Sequence, residues 1–375
     1  MAKILFVVTE DWYFCSHRLP LAVALKEKGH RVAVATRLKD HRKLIEASGI
    51  RAIALKRMKR SSLNPFREMG AFIELLSILR REKPDLVHLV ALKPAIYGSL
   101  AAMLARVPSR VNALGGLGFA FSTRRMLGRI LRPLLLATFR FIFNDSRSRL
   151  ILQNSDDLML VTKRAQVDQR NVRLIRGAGV DLDKYAVLDM PVGVPVVMLA
   201  SRMLRDKGVG EFVQAAAALK ARGLPARFVL VGDPDDENPS SVTRKQLQDW
   251  HASGVVEWWG YRNDMPAVLS RASVVCLPSY YGEGIPKVLI EAMACGRPIV
   301  TTDMPGCRDL VRNGTNGFLV TPRDAAELAE RFDALVADPP RCTSMGLEGR
   351  RLAETEYSLT RVTQETMAVY EELLS

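Results

Sequence analysis

Tyr281-Gly282-Glu283-Gly284-Ile285-Pro286-Lys287-Val288-Leu289-Ile290-Glu291-Ala292-Met293-Ala294-Cys295-Gly296 follows a short apolar run, Ala272-Ser273-Val274-Val275-Cys276-Leu277-Pro278. The run has the length and content of a buried strand. Two glycines then bracket an acid, Pro286 stands where a helix can begin, and Gly296 with Pro298 stops that helix. The segment therefore predicts strand, glycine-rich loop and helix, with the helix N-terminus above the strand. Free backbone N–H groups and the helix dipole make such a corner a receptor for phosphate. Glu283 in the loop and Glu291 on the helix can face one crevice. Carboxylates repel phosphate but accept hydrogen bonds from hydroxyls, so the pair suits a phosphorylated, hydroxyl-rich ligand such as a nucleotide sugar.

Outward from that stretch, strands alternate with helices. Upstream, apolar runs at 4–8, 32–35, 52–55, 86–89 and 110–113 are separated by helical patterns at 17–28, 40–48, 72–79, 95–105 and 124–143, and a loop is expected over Thr9–Ser16. After Val192-Gly193-Val194-Pro195 the alternation restarts, with strands at 196–199, 227–232, 255–258, 273–277 and 298–301. This is the pattern of two doubly wound parallel sheets, an α/β class. The expected division is 1–190, 191–357 and a terminal helix over 358–375. Ligands of open α/β sheets sit outside the carboxyl ends of the strands, so residues that follow strands are the ones to weigh.

The 375 residues are enough for two cores, and 48% apolar with 25% charged residues is ordinary globular composition. Five scattered cysteines, with no C-x-x-C and no leader sequence at the start, predict a reducing cytosol rather than disulfides or zinc. Charge is uneven. Residues 1–186 hold 34 Lys and Arg against 15 Asp and Glu, whereas 187–375 hold 20 against 25. The first domain is therefore expected to face something anionic. No nucleic-acid-reading motif is present, so a membrane surface is favoured over nucleic acid.

Glu283-x7-Glu291 with Gly-Ile-Pro-Lys inside it resembles the signature of retaining glycosyltransferases of family 4, which have the GT-B fold. Ala200-Ser201-Arg202-Met203-Leu204-Arg205-Asp206-Lys207-Gly208 resembles that family's Arg and Lys pair. Asp11-Trp12-Tyr13-Phe14-Cys15-Ser16-His17-Arg18-Leu19-Pro20, together with Gly115-Gly116-Leu117-Gly118, resembles bacterial enzymes that extend polyprenyl-diphosphate-linked glycans. The resemblance implies two Rossmann-like domains facing an interdomain cleft, with the terminal helix returning to the first. It implies a nucleotide-sugar donor, by family habit UDP-linked, and no further cofactor. Arg202 and Lys207 would stabilise the leaving diphosphate where other transferases use a metal, and Glu283 would hold the transferred sugar. Glu291 would take the ribose hydroxyls, with Gly284, Ile285, Pro286 and Lys287 along the sugar and phosphates. Tyr261 and Arg262 would rim the base. Asp233-Pro234-Asp235 mimics a metal-binding D-x-D, but it reads as an acidic loop, and no metal site is expected.

The acceptor side is carried by Asp11, by His17 and His88 at expected strand-to-helix junctions, by Lys93, and by Gly115 and Gly116. Here the chain departs from many relatives: Asp11-Trp12-Tyr13-Phe14 stands where they carry two glycines, and Gly115-Gly116 where they carry a histidine. Arg125, Arg129, Arg132 and Arg140 recur at helical spacing among leucines and phenylalanines, an interfacial rather than spanning pattern, with Pro133 kinking or restarting the helix. Lys56, Arg57, Lys59 and Arg60 add a second basic patch. The expected place is the cytoplasmic face of a bacterial plasma membrane, bound peripherally. Three rivals stay open: a transferase with a soluble acceptor, a nucleotide-sugar epimerase of similar architecture, and a non-enzymatic nucleotide-binding scaffold.

Overall fold

Strand β1 (Lys3–Glu10) is buried along nearly all its length because it is apolar on both faces, as a central parallel strand must be. Ile4, Phe6 and Val8 pack with Phe14, Leu21 and Leu25 on one side. Leu5 and Val7 pack with Leu75, Ile78 and Leu79 on the other. The computed structural model describes residues 1–60, 64–117 and 126–375, and for 126–131 the backbone alone.

Around β1 lie β2 (Arg31–Arg37), β3 (Arg51–Ala54), β4 (Leu86–Val90), β5 (Ser109–Ala113), β6 (Ser148–Leu152) and β7 (Val172–Leu174). They form a seven-stranded sheet in the order β3-β2-β1-β4-β5-β6-β7, every pair parallel. The second sheet holds β8 (Val196–Ala200), β9 (Arg227–Val231), β10 (Glu257–Trp258), β11 (Val274–Leu277), β12 (Ile299–Thr302) and β13 (Gly317–Val320). Its order is β10-β9-β8-β11-β12-β13, again all parallel. Each sheet reverses its winding once, between β1 and β4 and between β8 and β11. Those are the topological switch points at which α/β sheets take ligands.

The two compact units are Met1–Ala178 with Thr360–Ser375, and Gly179–Leu359. The divide thus falls before residue 180 rather than near 190. Val180 bridges to Ser358 and its N–H reaches Tyr357 O at 2.9 Å. Arg297, wholly buried, donates to Asp189 O at 3.0 Å. These contacts bind 179–190 to the second sheet. Helix Leu359–Leu374 packs Val362, Met367, Val369 and Tyr370 into the core around Phe6. Its Glu372 holds Arg149 of β6 at 3.0 Å and Arg173 of β7 at 2.7 Å.

Three strands escape the sequence pattern. β7 is three residues long, β6 begins Ser-Arg, and β13 begins at a glycine. A Cβ on Gly317 would lie 1.9 Å from Ile299 O, so only glycine lets β13 pair there. The expected loop over Thr9–Ser16 is instead the end of β1 followed by helix Asp11–His17. Pro133 lies inside a single helix, Met126–Phe143, so no new helix begins there.

Candidate active site

At the β8/β11 switch point the loops after both strands meet backbone to backbone. Gly208 has φ +76°, and a Cβ there would sit 2.1 Å from Pro278 O. Glycine is therefore required for this contact. Tyr280 N–H donates to Asp206 O at 3.1 Å across the same seam. On the other flank Glu283 N–H donates to Pro305 O at 3.1 Å. Gly306, φ +79°, comes so close to Gly284 O that a Cβ would fall 1.7 Å from it. The loop 279–286 is thus clamped between its neighbours, and its side chains are positioned by backbone rather than by packing alone.

This clamp brings Lys207 onto Glu283: Lys207 Nζ donates to Glu283 Oε1, with both side chains largely enclosed at 14% and 12% exposure. Ser279 Oγ donates to the same oxygen at 2.9 Å. Thr302 Oγ1 in turn donates to Ser279 O, fixing that residue. Helix Lys287–Ala294 starts directly after Pro286, which makes no side-chain cap. Its buried Glu291 takes Lys287 Nζ at 2.6 Å and Tyr185 OH at 2.8 Å, both on Oε1. Oε2 of Glu291 has no protein partner among the described residues. Burial, then the Glu291 charge, raises the Tyr185 phenol well above its ordinary value, so it stays a donor.

Arg202 stands apart from this group. Its guanidinium is 40% exposed and pairs with Asp235 Oδ2 at 2.6 Å. Asp233 faces Arg244 at 3.6 Å. Both acids of Asp233-Pro234-Asp235 are therefore answered by arginine, and among the described residues no three His, Cys, Asp or Glu are grouped to hold a metal ion. The loop bearing Arg202 still adjoins the next one: Gly232, φ +131°, would place a Cβ 1.9 Å from Ser201 O, and its N–H reaches Gly260 O at 2.8 Å. Beyond Gly260, Tyr261 is 69% exposed. Arg262 is held by Asp264 at 2.8 Å through Nε. Ile285 does not line an open surface; its side chain belongs to the core with Leu289 and Ile290.

Tyr185, Ser279 and Asp235 did not stand out in the sequence as site residues. Ser279 lies inside the decisive stretch, four residues before Glu283. Tyr185 is 106 positions from Glu291, and no local pattern connects them. Cys307 is wholly buried beside this loop; burial pushes its thiol up to about 12, so it is no nucleophile.

In the first unit the acceptor-side candidates divide. Asp11 is fully buried, and its oxygens accept from the N–H groups of Trp12 at 2.8 Å, Lys39 at 2.7 Å and His41 at 3.1 Å. It ties two loops together instead of presenting an oxygen outward. His88 is not at a strand-to-helix junction. It lies in the middle of β4, wholly buried, stacked 5.0 Å from Phe6 and bonded through Nδ1 to Tyr370 OH. Lys93 donates to Lys59 O at 2.8 Å and meets Glu68 at 2.9 Å. His17, at a helix end, stacks on Tyr13 with ring centroids 4.1 Å apart. Tyr13 OH lies against Gly115, where a Cβ would come within 3.1 Å. Gly116 has φ +107°.

Lys56, Arg57 and Lys59 are exposed, and Arg60 and Arg132 are half-buried. Arg125 lies outside the described residues, and so does the side chain of Arg129. Next to the 56–60 patch, helix Pro65–Glu82 exposes Phe66 (89%), Met69 (59%) and Ile73 (54%) along one face. Among the described residues no helix is long and apolar enough to cross a membrane.

Two parallel sheets of this winding, with the Arg, Lys and paired Glu sites at the second switch point, place the chain in a known class. The family model "Glycosyl transferases group 1" matches residues 194–338, and "Glycosyl transferase 4-like" matches residues 3–155. The chain thus carries a glycosyl transferase 4-like domain followed by a glycosyl transferases group 1 domain, and it has the GT-B fold. It is 28% identical over 338 residues, 86% of each chain, to the N,N'-diacetylbacillosaminyl-diphospho-undecaprenol alpha-1,3-N-acetylgalactosaminyltransferase of Campylobacter jejuni. It is also 28% identical over 276 residues to the UDP-Gal:alpha-D-GlcNAc-diphosphoundecaprenol alpha-1,3-galactosyltransferase of Escherichia coli, covering 70% of this chain and 69% of that one. Among solved structures it resembles Anabaena HepE in complex with UDP and glucose, with TM-score 0.80 and 19% identity over 99% of this chain and 100% of that one.

Proposed function

We propose that this glycosyltransferase moves a sugar from a UDP-linked donor to a polyprenyl-diphosphate-linked saccharide, with retention at the anomeric carbon and without a metal. The observation that carries the reading is the contact of Lys207 with Glu283 beside a Glu291 that keeps Oε2 open. A cation stands where a diphosphate would leave, and two acids stand where hydroxyls would be gripped. Lys207 and Arg202 rest on carboxylates in the ligand-free protein. An incoming diphosphate competes with Glu283 and Asp235 for them, and the released carboxylates become acceptors for sugar hydroxyls. Positive charge held at the leaving oxygen is worth most as the anomeric bond breaks. Tyr185 and Lys287 fix Glu291 so that Oε2 meets the ribose.

In this reading the bond from the anomeric carbon to the diphosphate oxygen breaks while the acceptor hydroxyl attacks from the same face. The acceptor's proton passes to the departing diphosphate, so no side chain need act as base. Two of the relatives named above are named for diphospho-undecaprenol-linked acceptors, one of them with a UDP-linked galactose donor. That favours a lipid-linked acceptor over a soluble one. The exposed basic patch and the Phe66, Met69 and Ile73 row favour peripheral attachment to an anionic leaflet, each basic residue near the surface contributing about 1 kcal/mol.

The test is a panel of nucleotide sugars offered with a polyprenyl-diphosphate-linked saccharide. Product mass identifies the transfer, the anomeric coupling constant gives its stereochemistry, and a chelator arm checks metal independence. An inverted product, or turnover only with added divalent metal, would refute the mechanism. Turnover of donor with no acceptor present would favour an epimerase instead.

A further inference from the structure

Arg18 joins helix Asp11–His17 to helix Leu19–Glu27 and is only 5% exposed. Its Nε is sealed from solvent with no acceptor. Among the described residues its guanidinium makes no hydrogen bond and no ion pair. Burying a guanidinium without an acid sacrifices part of its hydration, which is why buried charges are nearly always paired. The neighbouring acids in sequence are committed elsewhere: Glu10 to Arg37 at 2.6 Å and Lys39 at 3.8 Å, and Asp11 to backbone N–H groups. Two groups that feel the Arg18 charge, His88 and Tyr370, are both neutral. Burial first, and then Arg18, holds the His88 imidazole well below its usual range. His88 Nε2 is likewise buried with no partner.

Arg18 follows helix Asp11–His17, which continues directly from β1, and the imidazole it acts on lies within β4; these two strands flank the first sheet's switch point, where α/β sheets take ligands. At the end of β4, Ala91 adopts φ 78° and ψ 164°, a conformation almost confined to glycine. Helix Leu19–Glu27, nine residues long, points its N-terminus at Arg18, which makes no side-chain cap.

We propose that Arg18 receives a phosphoryl oxyanion, a mono- or diphosphate, at the switch point of the first sheet, as an anion site additional to the one at Lys207. The planar guanidinium fork matches a phosphate's paired oxygens. The anion supplies the charge the protein leaves out, and neutral His88 can add a hydrogen bond. The phosphoryl group belongs either to a prenyl-diphosphate acceptor or to the nucleotide donor. The glycosyltransferase reading enters only in that choice of sources.

The test uses full-length protein carrying Arg202→Ala, Lys207→Ala and Lys287→Ala, which removes the three cations of the second sheet's site. Thermal unfolding is followed with inorganic diphosphate, geranyl diphosphate and UDP. Inorganic diphosphate is expected to raise Tm, and Arg18→Met to abolish the rise while leaving the ligand-free Tm equal or higher, since an unpaired buried cation is gone. Arg18→Lys keeps the charge without the fork and should bind at least tenfold more weakly. Of the part of each shift that Arg18→Met abolishes, a larger share with geranyl diphosphate assigns the site to the acceptor, and a larger share with UDP assigns it to the donor. The proposal is overturned if no probe raises Tm, if Arg18→Met keeps the shift, or if Arg18→Met lowers the ligand-free Tm. Should Arg18→Met not fold, an undiminished shift in Arg18→Lys overturns it. Because the readout is unfolding, failure here is separable from any failure to find sugar transfer.

Discussion

Replacing Lys207 with alanine isolates the central electrostatic idea. Lys207 touches Glu283 in a largely enclosed pair. If the ammonium stabilises a leaving diphosphate, its loss removes one preorganised donor to developing charge. Such a loss lowers turnover by roughly 10²–10³, or about 2.7–4 kcal/mol of barrier. Stability should fall by less. Glu283 keeps the Ser279 hydroxyl at 2.9 Å, so the stranded carboxylate should cost about 1–3 kcal/mol, below the range for a fully buried broken pair. The double variant Lys207→Met/Glu283→Gln, which leaves no unmatched charge, should recover most of that stability and none of the activity. Initial rates of sugar transfer at saturating donor, taken well below the unfolding midpoint, are compared with thermal unfolding of the same preparations. Turnover of Lys207→Ala within about threefold of wild type, under about 1 kcal/mol, would refute the reasoning.

Tyr185→Phe removes the hydroxyl that orients Glu291 and should raise the donor KM more than it lowers kcat, with about 1 kcal/mol of stability lost. Steady-state kinetics over donor concentration check this, and an unchanged donor KM contradicts it. Gly208→Ala forces a Cβ to within 2.1 Å of Pro278 O at φ +76°. It should lower stability by more than about 2 kcal/mol and abolish transfer, as read by denaturant unfolding beside an activity assay. Acid should weaken the first unit through Glu82. Burial alone would raise this carboxyl, but Arg51, Lys3 and Arg81 together bring it from 4.5 down to about 2. A depressed folded-state pKa adds stability that is complete above 4.5 and disappears as pH falls toward 2. Glu82→Gln should therefore flatten the loss of stability across that window, and a denaturant midpoint with unchanged pH dependence would contradict it.

Much of the second sheet's candidate site could be proposed from sequence because its residues lie close together in the chain. Glu283, Lys287 and Glu291 sit within one strand-loop-helix unit, and the Arg202–Lys207 spacing spans one strand end. Periodicity also found most of the strands, since buried parallel strands are continuous apolar runs. It failed at β6, β7 and β13, which are short or carry arginine and glycine. On the acceptor side, His88 read as a junction residue because strand length sets which residue is last. β4 continues to Val90, so the imidazole falls inside the core.

Sequence alone determined the class of fold and the grouping of Arg, Lys and Glu on which the proposed function rests. Those follow from hydrophobic period, glycine placement and motif spacing, all of which act over a few residues. Tertiary structure decided which charges meet. It set Lys207 on Glu283, turned Arg202 to Asp235, brought Tyr185 across 106 positions to Glu291, and left Arg18 buried with no acid beside it. Ion pairing depends on distance and burial in space, and parallel strand order joins segments that the chain keeps far apart.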